Sequence, residues 1–445
     1  MSALPLGEVR PRHVVSLAWP VLVSMLSMTC MSLADAVVAG WHSTSSLAAV
    51  GLAATFGMFL LTPARGLIRG LKITTSQATG AGDSERVQAA LTQGLWLALG
   101  LGALLACWAP FAPRLFAAMG TSAAVSGPAS GFLAIMMLAA PVSCAVWTVE
   151  GWLQAQGDTR SPMRATLVAN LINIALDPVL VLGWGAPEMG APGAALATAI
   201  AMLVQLGLLL AQVPRPWGRF VGPPDLRLLR RAVLAGAPVA TQWTLDFAGF
   251  VVLLSLLSRS GDEQLAAHVL VFRLVMLSML PGLAVADAAG VLVGQAVGAG
   301  RPEAARQAWW VAVRVAGVLM GSFGVAFLVI PGWFVMPFDP DPAVAAVAVR
   351  LLGLAALWQL ADAVLVVNLH ALMAAGDTRF TMLLTVGGSW CVQVPLSTFF
   401  VAHQGGGAFE GWAALTAEIL MITWISAWRV RGTAWLEDRP VAAVA

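Results

Sequence analysis

Apolar runs of about 20 residues or more alternate with short polar breaks along the whole chain. A helix crossing the hydrocarbon core of a bilayer needs about 20 predominantly apolar residues. Twelve stretches reach that length, at about 14–40, 46–71, 87–109, 125–153, 163–184, 193–213, 232–257, 264–293, 308–332, 343–373, 380–402 and 408–430. The pattern predicts an all-α polytopic membrane protein with twelve transmembrane helices. One longer break, 214–231, holds Pro214, Pro216, Pro223, Pro224 and five arginines. It reads as a cytoplasmic linker, with a short amphipathic helix ending at Arg230-Arg231. It separates an N-terminal lobe, 1–213, from a C-terminal lobe, 232–445.

The two lobes are copies of one unit. Leu47-Ala48-Ala49 returns as Leu265-Ala266-Ala267, Pro20 as Pro238, and Pro63 as Pro281, each offset by 218 (265 − 47). Gln77, Gly80 and Gly82 return as Gln295, Gly298 and Gly300 at the same offset. Gly157-Asp158-Thr159-Arg160 returns as Gly376-Asp377-Thr378-Arg379, offset by 219 (376 − 157). Internal self-similarity of this kind marks a repeat architecture. Each copy carries six helices, an even number, so both insert in the same direction. The expectation is two six-helix lobes related by a parallel pseudo-two-fold repeat about the membrane normal, a plan suited to alternating access. In the repeated tetrapeptide, Gly permits a turn and Asp can cap the next helix, so its role reads as structural.

Composition sharpens this picture. Hydrophobic residues make up 59% of the 445 and charged residues 10%, with mean hydropathy +0.84. Soluble domains carry roughly 25% charged residues, so a soluble fold is excluded. A net charge of +2 offers nothing to nucleic acid. With the N-terminus inside, the inner loops collect Arg10, Arg12, Lys72, Arg86, Arg160, Arg164, the linker arginines, Arg301, Arg306 and Arg379. By the positive-inside rule both termini are then cytoplasmic. Cys30, Cys107, Cys144 and Cys391 are widely spaced in apolar stretches, and the five histidines lack metal spacing. The apolar run from Val14 reads as a first retained helix rather than a cleaved signal.

The candidate chemistry lies in polar residues deep within the helices. A carboxylate at the bilayer centre costs about 2.5–3.5 kcal/mol on insertion scales, so it normally faces a partner or a wet cavity. Asp35 lies in the first helix and Asp177 in the fifth. Asn173 stands one turn before Asp177 on the same face, and Thr198 in the sixth helix adds a hydroxyl. Carboxylate, amide and hydroxyl oxygens without a nearby lysine suit a hard cation such as sodium, or a shared proton. A structural hydrogen-bond cluster joining three helices fits the same residues. At the 218 offset the counterparts of Asp35 and Asp177 are Leu253 and Pro395, so the cluster is unique to one copy. The second copy has its own acids, Asp246 in the seventh helix and Asp362 in the tenth, with Arg273 as a potential ion-pair partner. Arg65 and Arg69 lie near one end of the second helix, where they can snorkel. Asp287 is the repeat counterpart of Arg69 (287 − 69 = 218), which makes the two a candidate gate.

Taken in order, several short segments resemble the multidrug and toxin compound extrusion (MATE) family. They are Pro20 with Asp35, the Leu47-Ala48-Ala49-Val50-Gly51 run, Gln77 to Gly82, and Gln156 to Arg160. The series continues with Asn173-Ile174-Ala175-Leu176-Asp177-Pro178, Leu265 to His268, Gly294-Gln295 to Gly300, and Gly376 to Arg379. The resemblance covers nearly the whole chain. It implies an exporter of organic, often cationic compounds, driven by inward movement of protons or sodium. By resemblance, Asp35, Asp177 and Asn173 form the coupling-cation site, with Thr198 beside it. The first three would be the metal ligands if the ion is sodium. Asp246 and Asp362 fall where the sodium-coupled branch carries acids, although the first is commonly Glu there. Arg65, Arg69 and Arg273 depart from the family pattern. No cofactor beyond the coupling ion is implied. The implied partners are a small organic substrate and the lipid bilayer of a bacterial inner membrane, with the chain working as a monomer. A lipid-linked oligosaccharide or peptidoglycan-precursor flippase is the alternative, and its anionic cargo would use the three arginines. No HExxH or GxSxG motif supports an enzyme.

Overall fold

The computed structural model describes residues 9–214 and 222–437, which are helical with no strand among them. The first copy opens with α1 (Pro11–His42), α2 (Thr44–Gly80), α3 (Ser84–Ala106) and the short α4 (Ala112–Ala118). It continues with α5 (Ala123–Leu138), α6 (Ala140–Ala155), α7 (Arg160–Val181) and α8 (Ala191–Leu210). The second copy holds α9 (Leu226–Leu257), α10 (Asp262–Gly298), α11 (Pro302–Val329), α12 (Pro331–Val335) and α13 (Pro342–Ala375). After these come α14 (Thr378–Gly388), α15 (Val394–Ser397), α16 (Ala408–Arg431) and α17 (Ala434–Glu437). Eleven helices are long and apolar enough to span a bilayer, and the bent pair α5–α6 makes twelve. The twelve runs read from the sequence correspond to these spans, most of them longer than their apolar cores.

One difference between the copies follows from a proline. The α5–α6 span bends by 48° at Ala139, just before Pro141. Its counterpart α13 is continuous, because Leu360 stands at the position of Pro141 (360 − 141 = 219). Proline lacks an N–H and crowds the preceding turn, so it breaks a helix interior that leucine leaves intact. Conversely, α7 runs regularly to Val181, while its counterpart is widened into π-helical turns at Ser389–Gln393 and Thr398–His403. Pro395, at the register of Asp177, lies between those two turns.

The repeated turns explain the repeated motifs. Gly82 and Gly300 have φ of 72° and 66°, and Gly157 and Gly376 have 89° and 103°. In each case the residue after the glycine donates its N–H to a carbonyl five residues back, as Asp83 does to Ala78 and Asp158 to Leu153. This is a helix end closed by a left-handed residue, which glycine adopts without a Cβ penalty. The two aspartates of the repeated tetrapeptide then diverge. Asp158 Oδ1 accepts from the backbone of Arg160 and Ser161 at 3.1 and 3.0 Å, capping α7. Asp377 instead forms an ion pair with Arg429 Nε at 2.9 Å.

The chain forms two compact units, Val23–Ala240 and Ser2–Leu22 with Thr241–Ala445. The dividing points, Leu22 in α1 and Ala240 in α9, are themselves repeat counterparts (240 − 22 = 218). Each unit therefore includes the opening turns of the other copy's first helix. In the first unit, α9 lies so close on α2 that only glycine fits. A Cβ on Gly236 would fall 2.2 Å from the Leu67 carbonyl oxygen, and one on Gly66 would fall 2.4 Å from Ala240 Cα. Arg230 and Arg231, read from the sequence as closing a separate linker helix, belong to α9 itself. The chain leading into it is pinned to α3. Trp96 Nε1 donates to Gly222 O, and Gln93 both donates to Pro223 O and accepts from Asp225 N. Of that linker, residues 215–221 lie outside the described structure.

Candidate functional site: a carboxyl pair in the first unit

Three helices bring the polar cluster together in the first unit. Asp35 sits about two turns from the end of α1, while Asn173 and Asp177 share one face of α7. Thr198 lies two turns into α8. Asn173 and Asp177 are fully buried and Asp35 is 9% exposed. The neighbouring groups set the orientation of the Asn173 amide. Its nitrogen donates to Asp35 Oδ1 at 3.0 Å, and its oxygen accepts from Thr198 Oγ1 at 3.2 Å and Thr198 N at 3.3 Å. Thr198 Oγ1 also lies 3.0 Å from the Ala194 carbonyl. One residue set thus ties α1, α7 and α8.

Asp177 lies in side-chain contact with Asp35. Among the described residues, no donor reaches either of its buried oxygens. Two ionised carboxyl groups in contact repel each other unless a proton or cation lies between them. A turn earlier on α7, Asn170 donates to Ser27 Oγ at 2.6 Å, a neutral contact closed within the protein. The Asn170–Ser27 level holds only neutral groups, whereas the next level holds two carboxyl groups.

In the second unit the sequence candidates separate. Asp246 projects from α9 toward Ser389 and Thr385 of the α14 span, with Gln242 one turn earlier. Its neighbour across the unit is Glu418 of α16, whose Oε1 accepts from Ser389 Oγ at 2.9 Å. Glu418 was missed in the sequence reading. It is an acid inside the apolar run 408–430, so the rule that singled out Asp35 applies to it equally. Asp362 is 7% exposed on α13, and its Oδ2 has no hydrogen-bond partner among the described residues. One turn before it, Gln359 donates to Ser278. Arg273 pairs with neither Asp246 nor Asp362 among the described residues. It is exposed, at a cleft of about 450 Å³ with Asp262 and Phe338. Arg65 lies 5.6 Å from the ring centre of Trp147. Arg69 is half-buried on α2, and Asp287 is 7% exposed on α10.

A bundle of apolar spans with isolated carboxyl groups in its interior defines a multi-pass membrane transporter. The MatE family profile matches this chain twice, over residues 20–179 and 238–399. The matches start 218 apart (238 − 20), which is the internal repeat itself. The chain belongs to the MatE family. It is 30% identical over 424 residues to the probable multidrug resistance protein NorM of Burkholderia pseudomallei, covering 93% of this chain and 91% of that protein. The multidrug resistance protein MdtK of Yersinia pestis is 26% identical over 452 residues, covering 98% of each. In fold it matches a multidrug resistance MATE transporter solved in an outward-facing conformation, with TM-score 0.88 and 21% identity. That match covers 99% of this chain and all of the other. A MOP superfamily transporter from Pyrococcus furiosus superposes equally well, at TM-score 0.88 and 22% identity, with the same coverage.

Proposed function

We propose that this protein is a cation-coupled antiporter that exports small organic compounds, cationic ones among them, across a bacterial inner membrane. The observation that carries the reading is the donor-free contact of Asp177 with Asp35, held in place by Asn173. A proton or a sodium ion bound there removes the repulsion between the carboxyls. Its loss restores the repulsion and loosens the tie between α1 and α7, so binding and release shift the packing of the first unit. If the ion is sodium, Asp35, Asn173 and Asp177 are its ligands, with the Thr198 hydroxyl close by. The multidrug resistance names of the NorM and MdtK relatives support a broad organic substrate range. The arginine distribution supports both termini on the cytoplasmic side.

One charge moving inward gains about 2.3 kcal/mol per 100 mV. That sustains a gradient of roughly forty- to fifty-fold for a neutral substrate. A monovalent organic cation exchanged for one ion draws on the chemical gradient alone. The test is efflux of a fluorescent organic cation from cells, with the sodium and pH gradients collapsed separately. Asp35→Asn and Asp177→Asn are each expected to abolish gradient-driven efflux. Full efflux in both variants would sink the coupling site. Dependence on the pH gradient alone assigns the proton, and dependence on the sodium gradient assigns sodium.

A further inference from the structure

We infer that Arg273 and Asp262, at the two ends of one cleft in the second unit, bind an elongated zwitterionic organic molecule, its carboxylate on Arg273 and its amine toward Asp262. Calling that molecule cargo rests on the proposed export activity. The binding itself rests on neither that activity nor the carboxyl pair of the first unit.

Asp262, Ala266, Val269 and Arg273 are all exposed. Their spacing of four, three and four residues puts them on one face of α10. A cleft of about 450 Å³ lies on that face, with Leu265, Val269 and Phe338 among its apolar walls. Its volume falls in the range of sites for drug-sized molecules. Asp262 and Arg273 are the first and last residues of α10 that line it. They stand eleven residues apart (273 − 262), so their α-carbons are about 16 Å apart along the helix.

Arg273 lies inside the apolar run 264–293. A cation at such depth normally has a partner or a wet cavity, and it marks a substrate path. Among the described residues, Arg273 makes no ion pair, hydrogen bond or ring contact. Arg65, Arg314 and Arg350 each rest on an aromatic ring, and Arg429 is paired with Asp377. The other copy shows that the helix needs no charge at either position. The counterparts of Asp262 and Arg273 at offset 218 are Thr44 and Thr55. Thr55 closes its hydroxyl on its own helix, at 2.8 Å from the Gly51 carbonyl.

The two charges select the ligand. The planar guanidinium fork matches a carboxylate or a phosphate through paired hydrogen bonds. A wholly anionic amphiphile is opposed by Asp262 and by the neighbouring exposed Glu263. A zwitterionic phospholipid carries its phosphate and ammonium on adjacent groups, too close together to reach both ends of the cleft. A rod-shaped aromatic molecule with an amine at one end and a carboxylate at the other meets both charges, while its apolar body covers Leu265, Val269 and Phe338.

The test uses a fluorescent stilbene with an aminomethyl group at one para position and a carboxylate at the other, compared with its methyl ester. Binding is read by fluorescence anisotropy on the full-length protein in nanodiscs, with no ion gradient. The wild type should bind the acid more tightly than the ester. Arg273→Thr, which installs the residue of the first copy, and Arg273→Gln should each lower the acid-to-ester affinity ratio by about tenfold or more, the scale of a lost charge-assisted contact. Arg273→Lys keeps the charge and should recover much of the ratio. Asp262→Asn should weaken acid and ester alike, because both carry the amine. The inference is overturned if the ratio is the same in the wild type and in the folded Arg273 variants, or if Asp262→Asn binds both probes as the wild type does. Acid binding that disappears when an anionic phospholipid is added to the nanodisc would give the cleft to a lipid and overturn it too. Failure of the coupling reading would show instead as efflux of both probes insensitive to Asp35→Asn and Asp177→Asn, with the affinity ratio untouched, so the two failures are distinguishable.

Discussion

Asn173 on α7 donates to Asp35 on α1 across 3.0 Å, and the same amide accepts from both the hydroxyl and the backbone N–H of Thr198 on α8. A side chain with one residue of α1 on one side and one of α8 on the other transmits any change at the carboxyl pair to three helices. Its replacement tests that linkage.

Asn173→Leu keeps the branched four-atom side-chain skeleton and removes every polar contact. Leaving buried partners unsatisfied costs about 1–3 kcal/mol. A lower melting temperature is expected for the detergent-purified protein, together with loss of ion-driven efflux. Asn173→Asp restores acceptors but not the amide donor to Asp35, and should recover less stability than the wild type has. A melting temperature unchanged in Asn173→Leu would remove the amide from the account.

The glycine contacts between α2 and α9 make a stability prediction with an internal control. Gly236→Ala places a methyl 2.2 Å from backbone oxygen, which cannot rotate away. Overpacking of this kind costs about 1–3 kcal/mol. Gly51→Ala, with nothing within 4 Å of its added Cβ, should leave stability unchanged or raise it by up to about 1 kcal/mol. Thermal unfolding of both variants in the same detergent compares them directly.

Left-handed turns should respond alike in the two copies. Gly157→Ala and Gly376→Ala force a Cβ into φ of 89° and 103°. A loss of about 1–2 kcal/mol is expected for each. Thermal unfolding that separates the pair widely would show that one turn is held by more than its glycine.

The aspartates after those glycines should respond differently. Asp158→Ala removes a cap and costs about 1 kcal/mol, whatever happens at Arg160. Asp377→Ala removes a half-buried ion pair with Arg429, worth up to about 1 kcal/mol. A double-mutant cycle with Arg429→Ala should show coupling for Asp377 and none for Asp158. Raising the salt concentration should shrink the Asp377 effect and leave that of Asp158.

Most of the fold was legible because it depends on local regularities. Apolar runs locate spans, and glycines repeated 218 or 219 apart mark turns whose backbone only glycine adopts freely. Asp35, Asn173, Asp177 and Thr198 were also legible, since a polar atom in an apolar helix is conspicuous and one-turn spacing places it on a face. Glu418 carried the same signal and was passed over because it lacks a motif. Arg273 showed the opposite limit. It stood at the right depth to neutralise an acid, yet depth along a helix does not say which way a side chain points.

The amino-acid sequence by itself determined that the chain is a duplicated bundle of membrane-crossing helices, because length, hydropathy and repetition are properties of order alone. It also determined that the buried acids of the two copies are not equivalent. Only the tertiary structure decided that Asp246 faces Ser389, the partner of Glu418, and not Arg273. Pairing depends on helix rotation and on local turns such as the π-helical one at Ser389, which arise from packing between segments far apart in the chain. Tertiary structure likewise drew the compact units through Leu22 and Ala240, where close glycine contacts, unseen in a linear pattern, bind half of α9 to α2.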